Sequence, residues 1–106
     1  MAAYILYLIF SCTLQFSGDA GDSMDVHNNQ QFSTKDQDND SAGSQHCASA
    51  HSSGWWYNNC HDAHLNGLYY VPGAPNKPEL NQLIDWDGLG PEKPLKYTEI
   101  KIRRKI

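Results

Sequence analysis

Apolar residues are concentrated at the N-terminal end of the chain and become sparse after it. The run Ala2–Phe10 is almost wholly apolar and is rich in tyrosine and isoleucine, which favour β-strands. Because small residues follow near Gly18 and Ala20, the same run is also typical of a secretory signal peptide, although no positive charge precedes it. Residues 1–16 are therefore either a signal-like segment, which we favour, or a strand-forming segment.

The middle of the chain changes from a polar stretch to an aromatic one. Met24–Thr34 predicts short extended pieces, broken by the polar pair Asn28 and Asn29. Asp36–Ser53 has no apolar face to bury, which predicts a long loop held by a cation or a disulfide. The aromatic-rich segment Gly54–Asn59 is expected to pack into the core.

The C-terminal half alternates short apolar pieces with turns. Leu65–Val71 predicts a strand, entered through the turn signal of Asn66 and Gly67. Leu80–Ile84 predicts a short helical turn or an extended piece. Leu95–Ile102 alternates apolar and polar positions with a period of two, which predicts a half-buried terminal strand.

Length and charge narrow the classes of function. With 106 residues and a net charge of -4, the chain is at most one small domain and lacks the basic surface that follows a nucleic-acid backbone. The apolar N-terminal run is shorter than the ~20 residues that cross a bilayer, so no transmembrane anchor is predicted. We therefore expect neither a nucleic-acid partner nor a membrane span.

Cysteine usage indicates an oxidising compartment. The three cysteines, Cys12, Cys47 and Cys60, leave one that is unpaired, bonded to another chain or removed by processing. The separation of Cys47 and Cys60 does not fit a C-x-x-C redox pair, and the nearby histidines lack zinc-finger spacing. A structural disulfide between them, worth about 3 kcal/mol in chain-entropy models, is the favoured interpretation. It predicts a secreted, extracellular protein.

Three carboxylates alternate along the predicted loop, at Asp36, Asp38 and Asp40. Carboxylates this close repel one another unless a cation neutralises them, and calcium prefers such hard oxygen ligands. An EF-hand is rejected because Ser41 and Cys47 occupy the positions of its glycine and its bidentate glutamate. From the spacing alone, a calcium site and a solvated acidic turn are equally good interpretations.

The remaining candidate chemistry favours binding over catalysis. Trp55, Trp56 and Tyr57 are core or platform residues, and His61 is either a pocket residue or a structural one. The sequence contains no Ser/His/Asp arrangement, no glycine-rich phosphate loop and no H-E-x-x-H motif. We therefore predict that the chain is not an enzyme.

Several ordered motifs resemble the C-terminal part of fibrinogen-related domains, the module of fibrinogen, ficolins, tachylectins, angiopoietins, tenascins and microfibril-associated glycoproteins. The matching pieces cover residues 17–103 in the family's order. They are SGDAGDSM (17–24), HN with FSTKDQDND (27–40), Cys47-Ala48, GWWYNNCH (54–61), LNGLYY (65–70), Ile84–Trp86 and LKYTEIKIR (95–103).

The resemblance implies a fold and a set of site residues. It implies an α+β fold for residues 17–106, a partial fibrinogen-like domain with a small antiparallel sheet and long calcium- and disulfide-stabilised loops. It implies calcium held by the side chains of Asp38 and Asp40 and the carbonyls of Ala42 and Ser44. It also implies a Cys47–Cys60 disulfide and a cis bond between Asn59 and Cys60. The implied ligand-binding residues are His61, Asn59, Cys60, His51 and Tyr57, with His51 standing where the acetyl-binding lectins often carry a tyrosine.

The function implied by the resemblance is recognition without chemistry. The leading hypothesis is a secreted, calcium-dependent lectin of innate-immunity type that binds a carbohydrate or an acetylated ligand. The alternatives are an extracellular-matrix or signalling module that binds an extracellular protein, and a truncated domain without function. Either binding function is compatible with an oligomer.

Overall fold

The computed structural model describes residues 6–9, 13–15, 18–90 and 95–103. Its regular elements are short and widely spaced, so that most of the chain runs as loops. The strands are β1 (Leu6–Ile9), β2 (Thr13–Gln15), β3 (Ala63–His64), β4 (Asp85–Trp86) and β5 (Ile100–Arg103); the α-helix is α1 (Cys47–His51); and 3-10 turns cover Asp25–His27, Leu80–Gln82 and Asp87–Leu89.

Two small sheets organise the strands. Strand β1 lies in the centre of a three-stranded sheet, antiparallel to β2 and parallel to β5. Strands β3 and β4 form an antiparallel pair in which Ala63 lies opposite Trp86. The predicted α+β fold with a small antiparallel sheet is confirmed, and the β1–β5 pair adds one parallel ladder. A parallel pair requires a long connection, and here it is nearly the whole chain.

The two ends of the chain meet in the three-stranded sheet. Leu6–Ile9 forms a strand, as the alternative interpretation of the N-terminal run requires, while the signal-like interpretation stays a prediction. Strand β5 begins at Ile100, later than the predicted start at Leu95. The reason is that residues 95–99 bond to loops: the Leu95 amide donates to the Ile84 carbonyl, and the Thr98 hydroxyl donates to the Leu65 carbonyl.

The prediction that Asp36–Ser53 is entirely loop is wrong, because α1 lies inside it. Its N-cap is His46, whose Nδ1 accepts a hydrogen bond from the Ser49 amide, and it ends at Ser52 in the left-handed conformation. Cys47, Ala48 and His51 form its buried face. These small or polar residues do not register as an apolar stripe in the sequence, which is why the helix was not predicted.

Two further predictions differ from the structure. Leu65–Val71 is not a strand, because only Leu68 makes a β-bridge, to Leu83, and the true strand β3 ends just before it. Met24–Thr34 contains the 3-10 turn Asp25–His27 in place of a first extended piece. Of the two alternatives for Leu80–Ile84, a helical turn or an extended piece, the structure has the helical turn, as the 3-10 turn Leu80–Gln82.

Aromatic residues dominate the core, as predicted. Trp55 and Tyr57 are fully buried, and Trp86 is almost so. Two histidines, His27 and His64, are buried among them. The other members of the core cluster are Ala20, Met24, Cys47, Ala48, Cys60, Ala63 and Leu65.

Residues 18–24 are fastened to the end of β4. The Trp86 indole donates a hydrogen bond to the Gly21 carbonyl at 3.0 Å, and the Gly88 amide donates to the Ser23 hydroxyl at 2.8 Å. A Cβ atom at Gly88 would lie 1.9 Å from the Ala20 carbonyl oxygen, so this close approach requires glycine. Residues 18–24, which belong to the first of the family motifs, are therefore packed against the rest of the fold.

Among the described residues, no helix is long and apolar enough to cross a membrane. Cys12 and residues 91–94 lie outside the described residues.

Candidate ligand-binding site

The acidic loop, residues 36–44, folds around the carboxylate of Asp40. One oxygen of this carboxylate accepts a hydrogen bond from the Ala42 amide at 2.9 Å, and the other accepts from the Cys47 amide at 2.8 Å. The Asp38 carboxylate accepts from the Asp40 amide at 3.1 Å. Side-chain acceptors thus take the place of a regular backbone ladder in this loop.

Opposing effects set the ionisation of Asp40. Partial burial raises its pKa, but the amides of Cys47 and Ala42, the Asp38 carboxyl and the charge of His46 together lower the pKa below its usual value. Asp40 is therefore a stable anion in the folded protein. The Asp38 carboxylate lies against the backbone of Asp40, because it accepts the Asp40 amide.

The chemistry of this loop fits a calcium ion. Calcium takes six to eight oxygen ligands, which carboxylates, main-chain carbonyls and water supply. Asp38 and Asp40 bring two carboxylates to one turn of the loop, and within the described chain the carbonyls of Ala42 and Ser44 accept no main-chain hydrogen bond. Asp36 differs, because its carboxylate accepts a hydrogen bond from the Thr34 hydroxyl at 2.6 Å.

No group of three or more His, Cys, Asp or Glu side chains gathers as metal ligands among the residues that the structure describes. A calcium site in the acidic loop would therefore depend on carbonyls and water beside its two carboxylates.

A disulfide joins the start of α1, just after the acidic loop, to the segment that carries His61. Cys47 and Cys60 are bonded with an S–S distance of 2.11 Å, which confirms the predicted pair. The Ser41 amide also donates to the Asn58 carbonyl at 3.0 Å. The bond between Asn59 and Cys60 is cis, as the resemblance implied. Asp40, Cys47, Cys60 and His61 are thus connected by one hydrogen bond, one disulfide and one peptide bond.

Two of the predicted ligand-binding histidines share one acceptor. His51 Nδ1 and His61 Nε2 each lie 2.9 Å from the main-chain carbonyl oxygen of Asn81. A carbonyl oxygen can only accept, so both nitrogens carry a proton and the opposite nitrogen of each neutral ring is a bare acceptor. In His61 that nitrogen, Nδ1, is buried and has no hydrogen-bond partner within the described chain.

Three histidine rings, those of His51, His61 and His64, form what we call the histidine cluster. The rings of His61 and His64 are stacked with centroids 4.3 Å apart and an interplanar angle of 5°. His51 meets His61 edge-on at 4.8 Å. Burial lowers the pKa of all three rings and so favours their neutral forms.

His64 is a structural residue that the sequence did not single out. Its Nδ1 donates to the Leu83 carbonyl, and its Nε2 lies 2.7 Å from both the Ser53 hydroxyl and the Tyr57 hydroxyl. Burial, followed by the charge of His61, lowers the pKa of His64 to about 3. No local pattern in the sequence indicates this role, because the partner carbonyl of His64 Nδ1 lies 19 residues away.

Tyr57 is fully buried beneath the histidine cluster, so in this conformation it supports the site from below and does not line it. A direct contact between Tyr57 and a ligand stays a prediction. His51 is also largely buried, whereas His61 is half-buried and Asn59 is exposed beside the disulfide. The structure thus brings together His51, His61 and Cys60 of the predicted set.

His27 also supports the site, and no motif in the sequence indicates this role. Its Nδ1 donates to the Trp56 carbonyl at 2.7 Å, and its Nε2 accepts from the amides of Asp62 and Ala63. Burial is the main cause that lowers the pKa of His27, as it is for His51 and His61. Neutral His27 therefore fixes the segment immediately after His61.

The family profile described as fibrinogen beta and gamma chains, C-terminal globular domain, matches residues 9–105. The chain belongs to this family. A techylectin-like protein of Phoneutria nigriventer is 44% identical over 89 residues, which cover 83% of this chain and 37% of that protein. Angiopoietin-related protein 7 of Bos taurus is 45% identical over 89 residues, 83% of this chain and 25% of that protein.

Solved structures agree with the family assignment. The fibrinogen-like globe domain of human ANGPTL6 has a TM-score of 0.61 at 39% identity, over 71% of this chain and 33% of that one. The corresponding domain of human ANGPTL2 has a TM-score of 0.63 at 35% identity, over 74% of this chain and 36% of that one. The fibrinogen-like chain thus spans about a third of these structures. Domains of this family are generally binding modules and not enzymes.

Proposed function

We propose that this fibrinogen-like chain is a secreted recognition module that binds a sugar or an acetylated group at the His61 surface, with calcium held in the acidic loop. The observation that carries the proposal is the direct connection between the two sites. Asp40 accepts the Cys47 amide, and Cys47 is disulfide-bonded to Cys60, the neighbour of His61. A cation that stiffens the loop would therefore stiffen the ligand surface.

Calcium would be held by Asp38 and Asp40, with the carbonyls of Ala42 and Ser44. When bound, it would supply positive charge beside the two carboxylates. The chain's own part is to orient the loop: the Ala42 and Cys47 amides fix the Asp40 carboxylate, and the Ser41 amide fixes the loop to Asn58. The proposed role of the ion is structural.

The half-buried His61 ring supports an acetamido ligand as a flat, partly apolar wall. Its position is fixed by stacking on the buried His64 ring and by the hydrogen bond from its Nε2 to the Asn81 carbonyl. Among the relatives, the techylectin-like protein carries a lectin-type name. The disulfide and the angiopoietin-related relatives support secretion.

Retention on beads that carry N-acetylglucosamine tests the proposal. We expect retention in millimolar calcium, and release by a chelator or by free N-acetylglucosamine. Asp38→Asn should abolish retention. Asp25 is an exposed aspartate outside the acidic loop, so Asp25→Asn should leave retention unchanged. A folded sample that is not retained in calcium would contradict the proposal.

Exposed apolar side chains favour a second candidate function, binding of an extracellular protein. Tyr69 is 58% exposed and Val71 is 54% exposed, and Leu68 and Leu80 are exposed as well. Large exposed apolar side chains are enriched at protein interfaces. Binding to cultured cells after enzymatic removal of surface glycans separates the two functions. Binding that persists and is weakened by Tyr69→Ser would support a protein partner, and loss of binding would support a sugar.

A further inference from the structure

The acidic loop contains the only N-x-S/T sequon of the chain, Asn39-Asp40-Ser41. Such a sequon is an acceptor for an N-linked glycan in a protein that passes through the secretory pathway. In a folded domain, the asparagine amide must reach solvent and its neighbours must leave room for a sugar. The surroundings of Asn39 meet both conditions.

We infer that Asn39 carries an N-linked glycan and that the first sugar of this glycan packs on the exposed ring of Phe32. The inference rests on the secretion proposed above and does not depend on the ligand site. It assigns a covalent modification to the acidic loop, and it gives a partner to an aromatic ring that the fold leaves partly in solvent.

The side chain of Asn39 is held at the surface by residues 32–33. Its Nδ2 donates to the Phe32 carbonyl at 2.9 Å, and its main-chain amide donates to the Ser33 hydroxyl at 2.9 Å. Ser33 is fully buried, whereas Asn39 is half-buried and its side-chain hydrogen bond lies at the surface. The amide that would receive the sugar is therefore fixed and accessible.

Attachment of a sugar is compatible with this anchor. In the transfer, C1 of a lipid-linked diphosphate oligosaccharide bonds to Nδ2 while its bond to the phosphate oxygen breaks. The lipid diphosphate leaves, and the transferase takes up one proton from Nδ2. Because Nδ2 carries two hydrogens, one N–H remains to donate to the Phe32 carbonyl. Glycosylated Asn39 can therefore keep the hydrogen bond that it makes without the glycan.

The rest of the sequon and the chain before it fit a modified asparagine. The Asp40 carboxylate accepts two main-chain amides, so it is engaged within the loop. Ser41 is exposed, and its hydroxyl donates to Gln30 Oε1. Residues 35–38 are exposed as well. The chain on both sides of Asn39 therefore borders solvent.

The ring of Phe32 offers the first sugar a packing surface. Phe32 is 42% exposed, yet its ring meets Trp56 edge-on with centroids 5.0 Å apart and lies against Gly54. An aromatic face carries partial negative charge, which attracts the C–H groups of a sugar. Because Asn39 Nδ2 lies 2.9 Å from the carbonyl of Phe32, a sugar bonded to this nitrogen begins beside that residue.

Mass spectrometry of the full chain secreted from eukaryotic cells tests the attachment. Enzymatic release of the glycan in water labelled with heavy oxygen marks the asparagine that carried it, and we expect the label at position 39. Asn39→Gln and Ser41→Ala should each lose the glycan completely, whereas Ser41→Thr, which preserves the sequon, should keep it. Ser49→Ala, at an exposed serine outside the sequon, should keep it as well.

Thermal melts test the contact with Phe32. The secreted chain, with its glycan trimmed to the first sugar, is compared with the same chain refolded from bacteria. The sugar should raise the melting temperature by about 4 °C, the shift that one aromatic contact gives in a small domain. Phe32→Leu should remove this difference, since leucine is apolar but has no aromatic face. Tyr69→Leu, which removes an exposed ring from another loop, should leave it unchanged.

Three results would contradict the inference in different ways. A secreted, disulfide-bonded chain without a glycan in both wild type and Ser41→Thr would overturn it and leave the proposed function standing. A glycan on Asn39 that does not change the melting temperature, or changes it equally in Phe32→Leu, would overturn the contact with Phe32. A chain that is not secreted would overturn the proposed secretion and this inference with it.

Discussion

The acidic loop and the histidine cluster lie on either side of one disulfide but are stabilised in opposite ways. In the loop, an ionised carboxylate collects backbone amides, as Asp40 does with Ala42 and Cys47. In the cluster, neutral imidazoles donate to backbone carbonyls, as His51 and His61 do with Asn81. One region needs its charge and the other needs the absence of charge. Acid therefore affects both, but in different pH ranges.

The largest expected effect comes from removing the connection between the two regions. The double substitution Cys47→Ala, Cys60→Ala should lower the free energy of unfolding by about 3 kcal/mol, because the open loop gains conformational entropy in the unfolded chain. Urea unfolding measures this loss. Calcium should then no longer alter the chemical shift of His61, and an unchanged calcium response would show that the regions communicate by another route.

Acid should weaken the histidine cluster first. The pKa of His64 is about 3 in the fold and about 6.5 in the unfolded chain, so the unfolded state binds more protons between these values. Stability is therefore highest above pH ~6.5 and falls toward pH ~3, with a slope of up to about 1.4 kcal/mol per pH unit for each such histidine. Urea unfolding between pH 7.5 and 4.5 measures the slope.

The loss of stability that His64→Gln itself causes is measured at pH 7.5. Relative to that value, the free energy of unfolding of the variant should depend less on pH than that of the wild type. An unchanged slope would mean that His27, His51 and His61, whose pKa values burial also lowers, account for the whole effect.

Asp40 should respond only at lower pH. The pKa of Asp40 is lowered in the fold. Its contribution to stability is therefore present above the ordinary carboxyl pKa of about 4 and is lost as the pH falls through the pKa that Asp40 has in the folded state. At neutral pH, Asp40→Asn should lower the free energy of unfolding by about 1–2 kcal/mol, because an amide nitrogen would replace one of the two oxygens that accept main-chain amides. Thermal melts in calcium and in chelator measure this change.

The cost of Asp40→Asn should be larger in calcium than in chelator. An identical loss under both conditions would restrict Asp40 to its structural role.

The smallest effect is expected at the start of the acidic loop. Asp36 is paired with the Thr34 hydroxyl, away from the hydrogen bonds that Asp40 makes. We expect Asp36→Asn to leave the calcium-dependent shift in melting temperature unchanged. If that shift disappears, Asp36 belongs to the metal site together with Asp38 and Asp40.

The sequence was informative where a single residue type permits few roles. The aromatic run Gly54–Asn59 predicted a core, and Cys47 and Cys60 predicted a disulfide; both are confirmed. The calcium ligands remain a prediction, which the hydrogen bonds of Asp40 fit.

The sequence was uninformative where structure depends on distant partners. Helix α1 has no apolar stripe of its own and forms because Asp40, seven residues earlier, binds its first amide and because Cys60 holds its first side chain. His27 and His64 are fixed by carbonyls and amides 19 to 36 residues away, which no local pattern records. The buried hydroxyl of Tyr57 contacts His64, and no local pattern records that contact either.

The parallel pairing of β1 and β5 has a mechanical consequence. Because Leu6 lies opposite Ile100 and Ile9 lies opposite Arg103, the chain before β1 and the chain after β5 leave the sheet at opposite ends. Force that pulls on these two flanks would slide the strands lengthwise and load their ladder of hydrogen bonds together, not one at a time. The β1–β5 ladder should therefore act as a clamp under tension.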